Sequence, residues 1–214
     1  MHLTNPTKLA WELVIKNPEL GEIEAEIGGG LSDSYVYLIR KENERRILKI
    51  QKDKTEFEFY RCLKPKIPNH QYWLPDIFAM GEFDGWNWLL MEYIEHPWPR
   101  ERFNFDEEAI SRLRELHKFQ PISDCIDWVD QSWRLEHLDA AAVYLPDETI
   151  LKLYSIHQSY EQIKDENLAI CSGDPNAPNW MIRGNGSIVL LDWQQVCFEN
   201  RALDLAGRVA RYNG

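Results

Sequence analysis

Long apolar stretches are missing from this chain of 214 residues. No run approaches the roughly 18 residues that a membrane-spanning helix needs, and residues 1–13 lack the basic start and apolar stretch of a secretion signal. Cysteine is also scarce. The four cysteines are widely spaced and form no CxxC motif or Cys/His cluster, which argues against a zinc site. We therefore expect a cytoplasmic protein with reduced thiols and no membrane partner.

Basic residues are in deficit as well. The chain has 24 Lys and Arg against 35 Asp and Glu, which gives a formal net charge of -11. A protein of this charge repels phosphate backbones, so we expect no nucleic-acid partner. The acidic balance is compatible with a cationic small substrate, although many solvated acidic surfaces share it. With 44% hydrophobic residues, the chain is long enough to bury a core, and its length predicts one or two domains.

The first 95 residues have the alternating pattern of an antiparallel sheet. A short helix is predicted at residues 5–17 and a second one at 53–63. The dipeptide Asp84-Gly85 predicts a tight turn between two strands. The strand-like runs are residues 22–27, 35–41, 45–50, 77–83 and 88–94.

The pattern changes to mostly helical after the proline-containing segment 96–103. Apolar faces at helical spacing predict one helix around 110–117 and another around 150–160, and we expect residues 123–145 to be helical as well. Short strands return at 168–171, 181–183 and 187–192, with a hairpin turn at 184–186. This order predicts an α+β protein in two lobes and is unlike a Rossmann alternation.

A glycine-rich loop at residues 28–34 joins the first two strand-like runs. Glycines let a backbone approach a ligand and turn its amides toward an anion, and the serines of this loop can donate to phosphate. The loop matches neither GxGxxG nor a Walker A motif. A simple hairpin turn remains the alternative interpretation.

Lys49 stands inside an apolar strand-like run. A buried lysine is costly unless it has a partner or reaches solvent. Glu56, on the helix that follows, is the obvious partner. Glu58 competes with Glu56 because it lies only two positions further along the same helix. An outward-facing lysine on an exposed sheet face is the alternative.

The loop at residues 172–180 is the strongest candidate for chemistry. Asp174 and Asn179 lie five residues apart in a loop that contains two prolines, and Asp192 follows eighteen residues after Asp174 at the end of an apolar strand. Carboxylate and amide oxygens are hard ligands that suit Mg²⁺. A further carboxylate nearby can accept a proton from an attacking hydroxyl. Each Asp alone would be read as a turn or capping residue.

In this order, the motifs resemble those of the aminoglycoside phosphotransferase and choline kinase-type small-molecule kinases. The matches are the glycine loop, L-x-x-L-H at 113–117, G-D-x-x-x-x-N at 173–179, D-W at 192–193 and D-L-A at 204–206. The resemblance runs from about residue 27 to 206. It implies an α+β, bilobal protein-kinase-like fold, with an antiparallel five-stranded N-lobe sheet in residues 1–95 and a mainly helical C-lobe in residues 96–214.

The resemblance also implies roles for single residues. Asp174 would orient or deprotonate the acceptor hydroxyl, and Asn179 and Asp192 would hold Mg²⁺. Lys49, steadied by Glu56, would contact the phosphates of ATP or GTP. Backbone amides of residues 92–94 would meet the adenine edge. The implied nucleotide-binding set is Gly29, Gly30, Ser32, Ser34, Lys49, Glu56, Met91, Glu92, Tyr93 and Ile94.

The predicted activity is ATP-dependent transfer of the γ-phosphate to a hydroxyl of a small, cationic, aminoglycoside-like molecule. A choline or ethanolamine-type kinase, a catalytically impaired pseudokinase or nucleotide-binding module, and an unrelated binding protein are the alternatives. Two departures bear on this choice. Ser172 stands where the family has a His that braces the loop, and the chain ends eight residues after the D-L-A match, where the family continues with helices of the acceptor pocket. We therefore expect either a fragment or a compact variant whose acceptor site is open or is completed by another chain. An apolar helix face left exposed by the shorter C-lobe would favour a homodimer.

Overall fold

A five-stranded antiparallel sheet forms the N-lobe in the computed structural model, which describes residues 6–29, 34–102, 106–120 and 126–205. The order of its strands is β1-β2-β3-β5-β4, and every neighbouring pair is antiparallel. The predicted sheet is thereby confirmed. The strands are β1 (Glu22–Gly29), β2 (Ser34–Lys41), β3 (Glu44–Gln51), β4 (Ile77–Phe83) and β5 (Trp86–Glu92).

Tight turns set the register of this sheet. Asp84 and Gly85 both have positive φ angles, of 50° and 75°, which is the conformation of a two-residue hairpin turn that matches the twist of the strands. Gly28, near the end of β1, has a φ of 111°, and this conformation is strained for any other residue. The predicted turn at 84–85 is confirmed.

The two faces of the sheet have different surroundings. Leu48 and Ile50 of β3 are buried against helix α1 (Pro6–Lys16), in a core that includes Leu9 and Leu13. Because successive side chains of a strand point to opposite faces, Lys49 lies on the other face, which lines a cleft. The apolar pattern of β3 therefore also determines that Lys49 faces the cleft.

The predicted helix at 53–63 forms in two parts. Helix α2 (Thr55–Glu58) continues as a π-helical turn (Phe59–Leu63), which the periodicity alone does not indicate. Phe59 and Leu63 are buried in the same core cluster as Trp73 and Trp193. This segment therefore joins the N-lobe to the C-lobe through apolar packing.

The C-lobe is mainly helical, as predicted. Asp106 caps α3, because its carboxylate accepts from the Ala109 amide at 2.9 Å. Buried Ile150 and His157 share one face of α5, which confirms the predicted apolar face. The helices are α3 (Glu107–His117), α4 (Leu135–Ala142) and α5 (Asp147–Ile163), and the strands are β6 (His96–Pro97), β7 (Leu168–Cys171), β8 (Trp180–Ile182), β9 (Ile188–Leu190) and β10 (Cys197–Asn200).

Two small sheets organise the loops that carry the predicted site residues of this lobe. β8 lies between β6 and β9, and β7 pairs with β10. The chain between β7 and β8 carries the G-D-x-x-x-x-N motif, and the chain between β9 and β10 carries Asp192. The pairing of these short strands therefore fixes where both loops begin and end.

The sequence-based expectation was wrong at three places in this lobe. Residues 126–134 form no helix, so the helix predicted over residues 123–145 is present only as α4. Residues 121–125 lie outside the described part. β6 falls in the segment interpreted as a linker. β10 was not expected, since a four-residue strand becomes regular only by pairing with β7, far back in the chain. Within the described ranges, no helix is both long and apolar enough to cross a membrane.

Candidate active site

A cleft of about 800 Å³ lies between the sheet and the C-lobe. Side chains from both lobes line it, including Lys49, Asp174 and Asp192. The segment that follows β5 forms one wall, and residues 92–95 all face the cleft. The structure therefore brings most of the predicted site residues of the described part into one cavity. Their roles stay predictions.

The Lys49 ammonium lies between two carboxylates. Its Nζ is 2.6 Å from Glu56 Oε2 and 3.0 Å from Asp192 Oδ1. Burial opposes the charge of this lysine, but the two carboxylates outweigh burial and raise the pKa of Lys49. Glu58 instead pairs with Arg61, at 3.7 Å. Between the two competing partners, the structure selects Glu56.

Glu56 also holds the loop that carries Asp192. Its Oε1 accepts from the Trp193 amide at 3.3 Å, and its side chain is 1% exposed. The Trp193 ring stacks on Phe59 with ring centroids 4.0 Å apart and an interplanar angle of 4°. One helical segment, residues 55–63, therefore positions both Lys49 and the residue next to Asp192.

Two side-chain amides hold the Asp174 carboxylate. Asn176 Nδ2 donates to Asp174 Oδ1, and Asn179 Nδ2 donates to Oδ2 at 3.1 Å and to the Asp174 carbonyl oxygen at 2.8 Å. The sequence did not single out Asn176, although its place two residues after Asp174 in the same loop could have indicated it. With a donor on each oxygen, the carboxylate has a defined orientation.

Asn179 and Asp192 are suited to hold a metal ion. The Leu191 amide donates to the Asn179 carbonyl oxygen at 2.8 Å, which keeps the residue next to Asp192 beside Asn179. Asp192 has a φ of 60°, a left-handed conformation that Asp tolerates better than most residues. Because the Asn179 amide nitrogen is turned toward Asp174, its Oδ1 is left as the ligand atom. Two hard oxygen donors fit Mg²⁺.

Asp204 braces the loop that contains Asp174. Its carboxylate accepts from the Ser172 amide, the Ser172 hydroxyl and the Gly173 amide, each at 3.0 Å, and from His117 Nε2 at 2.9 Å. Ser172 therefore takes part in the brace directly. The L-x-x-L-H and D-L-A motifs meet here, a role that sequence reasoning had not given them.

His117, Cys171 and Asp204 lie close together, with their ligand atoms within 4.8 Å of one another. Burial would lower the pKa of His117, but the hydrogen bond and the charge of Asp204 outweigh burial and raise the pKa of His117 to about 9. Because both Asp204 oxygens already accept two hydrogen bonds each, the cluster is a structural ion pair and a poor metal site.

Gly173 permits a close approach of two loops. Its φ is 78°, and a Cβ atom at this position would lie 1.9 Å from the Gln195 carbonyl oxygen. No side chain fits there without moving the backbone. Since Gln195 lines the cleft together with Asp174, glycine at 173 sets the width of the cleft at this end.

The segment after β5 departs from the expectation in one respect. The Glu92 amide donates to the Asp76 carbonyl oxygen at 2.9 Å. The prediction that this amide meets the adenine edge is therefore wrong, since the Asp76 carbonyl oxygen already takes this donor. The Glu92 side chain is bonded to Arg183, a residue that the sequence did not indicate. Tyr93 and Ile94 keep their predicted place on the cleft wall.

The glycine loop is described only at its two ends. Gly29 is the last residue of β1 and lies opposite Tyr35. Ser34 is buried at the start of β2 and lines the cleft. Gly30 and Ser32 lie outside the described residues. The predicted contact of this loop with phosphates stays a prediction.

Solved structures of similar shape belong to kinase-like enzymes of small molecules. Aminoglycoside phosphotransferase APH(4)-Ia superposes with a TM-score of 0.67 at 11% identity, over 94% of this chain and 76% of that protein. Choline kinase LicA from Streptococcus pneumoniae has a TM-score of 0.62 at 16% identity, over 95% and 75% of the two chains. The streptomycin–ATP complex of APH(2")-IIa has a TM-score of 0.61 at 19% identity, over 95% and 75%. At these identities the likeness establishes the protein-kinase-like fold alone.

A sequence model of a protein family identifies the family of this chain, which the structural similarity alone does not. The model of the phosphotransferase enzyme family matches residues 24–212. The chain therefore belongs to this family. A comparison with curated protein sequences gives no match.

Proposed function

We propose that this protein transfers the γ-phosphate of ATP, or of GTP, to a hydroxyl group of a small cationic molecule. One observation carries the proposal: the cleft brings the buried Lys49–Glu56 pair together with Asp174, Asn179 and Asp192. Phosphoryl transfer asks the protein mainly to position groups and to neutralise charge, so such a sparse set is sufficient.

The nucleotide would bind with its base against the segment that follows β5. Since the Glu92 amide is used, the Glu92 carbonyl oxygen and the Ile94 amide are the groups we assign to the base edge, with Met91 at the back of the pocket. Among the similar structures, two APH(4)-Ia complexes contain ADP or AMP-PNP with hygromycin B. Their presence supports a nucleotide in this cleft.

The reaction would proceed at the Asp174 side of the cleft. The acceptor oxygen attacks the γ-phosphorus, the bond from this phosphorus to the bridging oxygen breaks, and ADP leaves with that electron pair. The Asp174 carboxylate, held by Asn176 and Asn179, accepts the hydroxyl proton. Lys49 holds the phosphates. A Mg²⁺ ion held by Asn179 and Asp192 would neutralise charge on the phosphate oxygens.

A second cavity supports a cationic acceptor. It has a volume of about 280 Å³ and is lined by Trp133, Tyr160 and Glu199, next to Gln131, whose side chain donates to Gln195 at 2.5 Å. Aromatic rings beside a carboxylate attract organic cations. The small size of this cavity favours the second candidate, a choline or ethanolamine-type kinase, over a large aminoglycoside.

The pseudokinase alternative rests on Ser172 in place of the family's His. The hydrogen bonds from Ser172 to Asp204 support an ordered catalytic loop and thus an active enzyme. A cytoplasmic location is also proposed, and the unpaired Cys62, Cys171 and Cys197 support it. For the proposed homodimer, exposed Tyr144 and Leu151 are candidate contacts, and light scattering after size-exclusion chromatography tests it.

Nucleotide binding is the first test. A ligand at 100 times its Kd should add about 2.7 kcal/mol to the stability of the protein, so MgATP or MgGTP should raise the Tm measurably. The substitution Asp192→Ala should reduce the part of the shift that depends on Mg²⁺. No shift with any nucleotide would exclude both the kinase and the pseudokinase.

Acceptor turnover is the second test. ADP release should be measured with hygromycin B, streptomycin, choline and ethanolamine as acceptors. Asp174→Asn should reduce turnover roughly 10²- to 10⁴-fold while nucleotide binding is retained. Asp127→Asn, an equal change of charge at an exposed position, is the control. Full turnover by Asp174→Asn would contradict the role of Asp174, and nucleotide binding without turnover on a wide acceptor panel would favour the pseudokinase.

A further inference from the structure

We propose that Arg183 is a positioning residue for the base-binding edge of the cleft. It would hold the segment after β5 in the conformation that presents the Glu92 carbonyl oxygen and the Ile94 amide to the nucleotide base. Arg183 does not line the cleft itself, so it would act through Glu92. This inference rests on the proposed nucleotide-dependent function and adds a determinant of base recognition to it.

The guanidinium group of Arg183 is fully engaged. Its Nε and Nη2 donate to Glu92 Oε1 and Oε2, at 2.6 and 2.8 Å, in a bidentate pair. The remaining donors meet the Leu74 carbonyl oxygen at 2.9 Å, the Tyr72 carbonyl oxygen at 3.1 Å and the Ser187 hydroxyl at 3.4 Å. All five N–H groups of the guanidinium are thereby satisfied. No lysine could reproduce this planar arrangement.

Glu92 is held from a second side. Its Oε2 also accepts from the Asp76 amide at 3.1 Å, and its own amide donates to the Asp76 carbonyl oxygen. The Arg183 and Glu92 side chains are 13% and 20% exposed, so solvent screens their ion pair far less than a surface pair. The carbonyl group of Glu92 therefore has little freedom to turn.

The other end of the segment is fastened to the same hairpin. Glu95 Oε2 accepts from the Gly184 amide at 3.1 Å, one residue after Arg183. Glu92 and Glu95 thus flank Tyr93 and Ile94, and both carboxylates are bonded to adjacent residues of the turn between β8 and β9. The two bonds fix the chain on either side of the groups assigned to the base.

The same hairpin supplies another wall of the base pocket. Met181 of β8 lines the cleft, and β6 pairs with β8 through His96 opposite Ile182. A change at Arg183 should therefore disturb the spacing between Met181 and the segment after β5. The phosphate side should be unaffected, because none of the contacts of Arg183 involves Lys49 or Asp192.

The test separates binding of the base from binding of the phosphates. Titration calorimetry would compare MgATP, adenosine and Mg-tripolyphosphate on the wild-type protein and on Arg183→Lys. We expect MgATP and adenosine to bind about tenfold more weakly to the variant, while tripolyphosphate changes less than about twofold. In turnover assays the KM for ATP should rise with little change in kcat.

The matched control is Arg112→Lys. Arg112 of α3 donates to both carboxylate oxygens of Glu115, at 3.4 and 3.3 Å, and neither residue lines the cleft. This control should leave all three affinities unchanged. Glu92→Gln keeps the size of its side chain and removes the charge, and it should repeat the effect of Arg183→Lys if that variant folds poorly. Circular dichroism verifies the fold of each protein.

The outcomes distinguish the inference from the function on which it rests. If the wild-type protein binds MgATP and Arg183→Lys binds it equally well, the positioning role is wrong and the proposed function stands. If tripolyphosphate and adenosine lose affinity equally, Arg183 has only a general structural role and the inference is again wrong. If the wild-type protein binds no nucleotide, the proposed function fails and this inference fails with it.

Discussion

At the scale of single residues, Asp204 shows how one buried carboxylate can hold the loop that carries Asp174. It accepts hydrogen bonds from Ser172, Gly173 and His117, and it is fully buried. The family's histidine before Gly-Asp is replaced here by a serine whose hydroxyl contributes to the same brace. The replacement is therefore compatible with an ordered Asp174, and its energetic weight can be measured.

The hydroxyl of Ser172 should contribute measurably to stability. Ser172→Ala leaves one Asp204 oxygen with one donor fewer in a buried place, so we expect the free energy of unfolding to fall by about 1–2 kcal/mol. Urea unfolding gives this value. Ser159→Ala, at an exposed position of α5, is the control and should cost less than about 0.5 kcal/mol. Equal stabilities of the two variants would contradict the brace.

His117 should make stability depend on pH. Its pKa is about 9 in the folded protein and about 6.5 as the ordinary value, so its bond to Asp204 stabilises fully below pH 6.5 and this contribution is lost as pH rises through about 9. We expect a loss on the order of 2 kcal/mol, allowing for solvent screening. Urea unfolding from pH 6 to 9 measures it.

Two histidine variants complete this experiment. His117→Gln should lack the pH-dependent part, whereas His96→Gln, at an exposed position, should retain it. A wild-type protein whose stability does not change between pH 6.5 and 9 would show that His117 is not charged in the folded state.

At the scale of elements, the helical segment 55–63 couples the sheet to the loop that carries Asp192. Glu56 bonds Lys49 on β3 and the Trp193 amide, and Phe59 stacks on the Trp193 ring. A displacement of this one segment would move Lys49 and the Asp192 loop together. One short helical segment therefore positions both Lys49 and the residue next to Asp192.

Replacement of Glu56 should show this coupling. Glu56→Gln leaves the Lys49 charge buried beside Asp192 alone, so we expect a loss of about 3 kcal/mol of stability and weaker binding of Mg-tripolyphosphate. Glu58→Gln removes only a 3.7 Å pair with the half-exposed Arg61 and should cost less than about 1 kcal/mol. Urea unfolding and calorimetry compare the two. If the variants lose equal stability, the assignment of Glu56 as the structural partner is wrong.

The elements themselves were largely predictable from local patterns. Alternating apolar residues and the Asp84-Gly85 turn are local features, and they indicated the five strands of the sheet. β10 and the non-helical segment 126–134 could not be predicted from local patterns, because their conformations depend on contacts with residues distant in the sequence. The Val129 amide bonds to the Val196 carbonyl oxygen, and β10 pairs with β7.

The site divides in the same way. Lys49, Asp174 and Asp192 stand out in the sequence. A charged residue inside or close to an apolar strand is unfavourable unless it has a partner or a functional role. Arg183 did not stand out, since its partner Glu92 lies 91 residues away and arginines in turns are common. The sequence indicated the residues that could take part in a reaction. It did not indicate the contacts that hold these residues in position.

At the scale of the whole molecule, a net charge of -11 should affect acceptor binding. Binding of streptomycin, a polycation, should weaken several-fold between about 50 and about 300 mM NaCl, because salt screens attraction between separated charges. Choline, with one charge, should be less sensitive. Calorimetry measures both, and the affinity for anionic MgATP should not weaken in parallel. Salt-independent streptomycin binding would exclude a contribution from the overall charge.

The bonds of the hairpin formed by β8 and β9 also determine where the two lobes can move. This hairpin is tied to the segment after β5 through Glu92 and Glu95, and the Leu190 amide bonds to the Trp73 carbonyl oxygen. The connection between the lobes is therefore held by several hydrogen bonds, and opening of the cleft by bending there would break them. We expect the cleft to open on the opposite side, where β1 is the edge strand of the sheet and β2 is its neighbour. The phosphates of a nucleotide would then be the last part to enter the cleft and the first part to leave it, while the base side of the cleft stays closed.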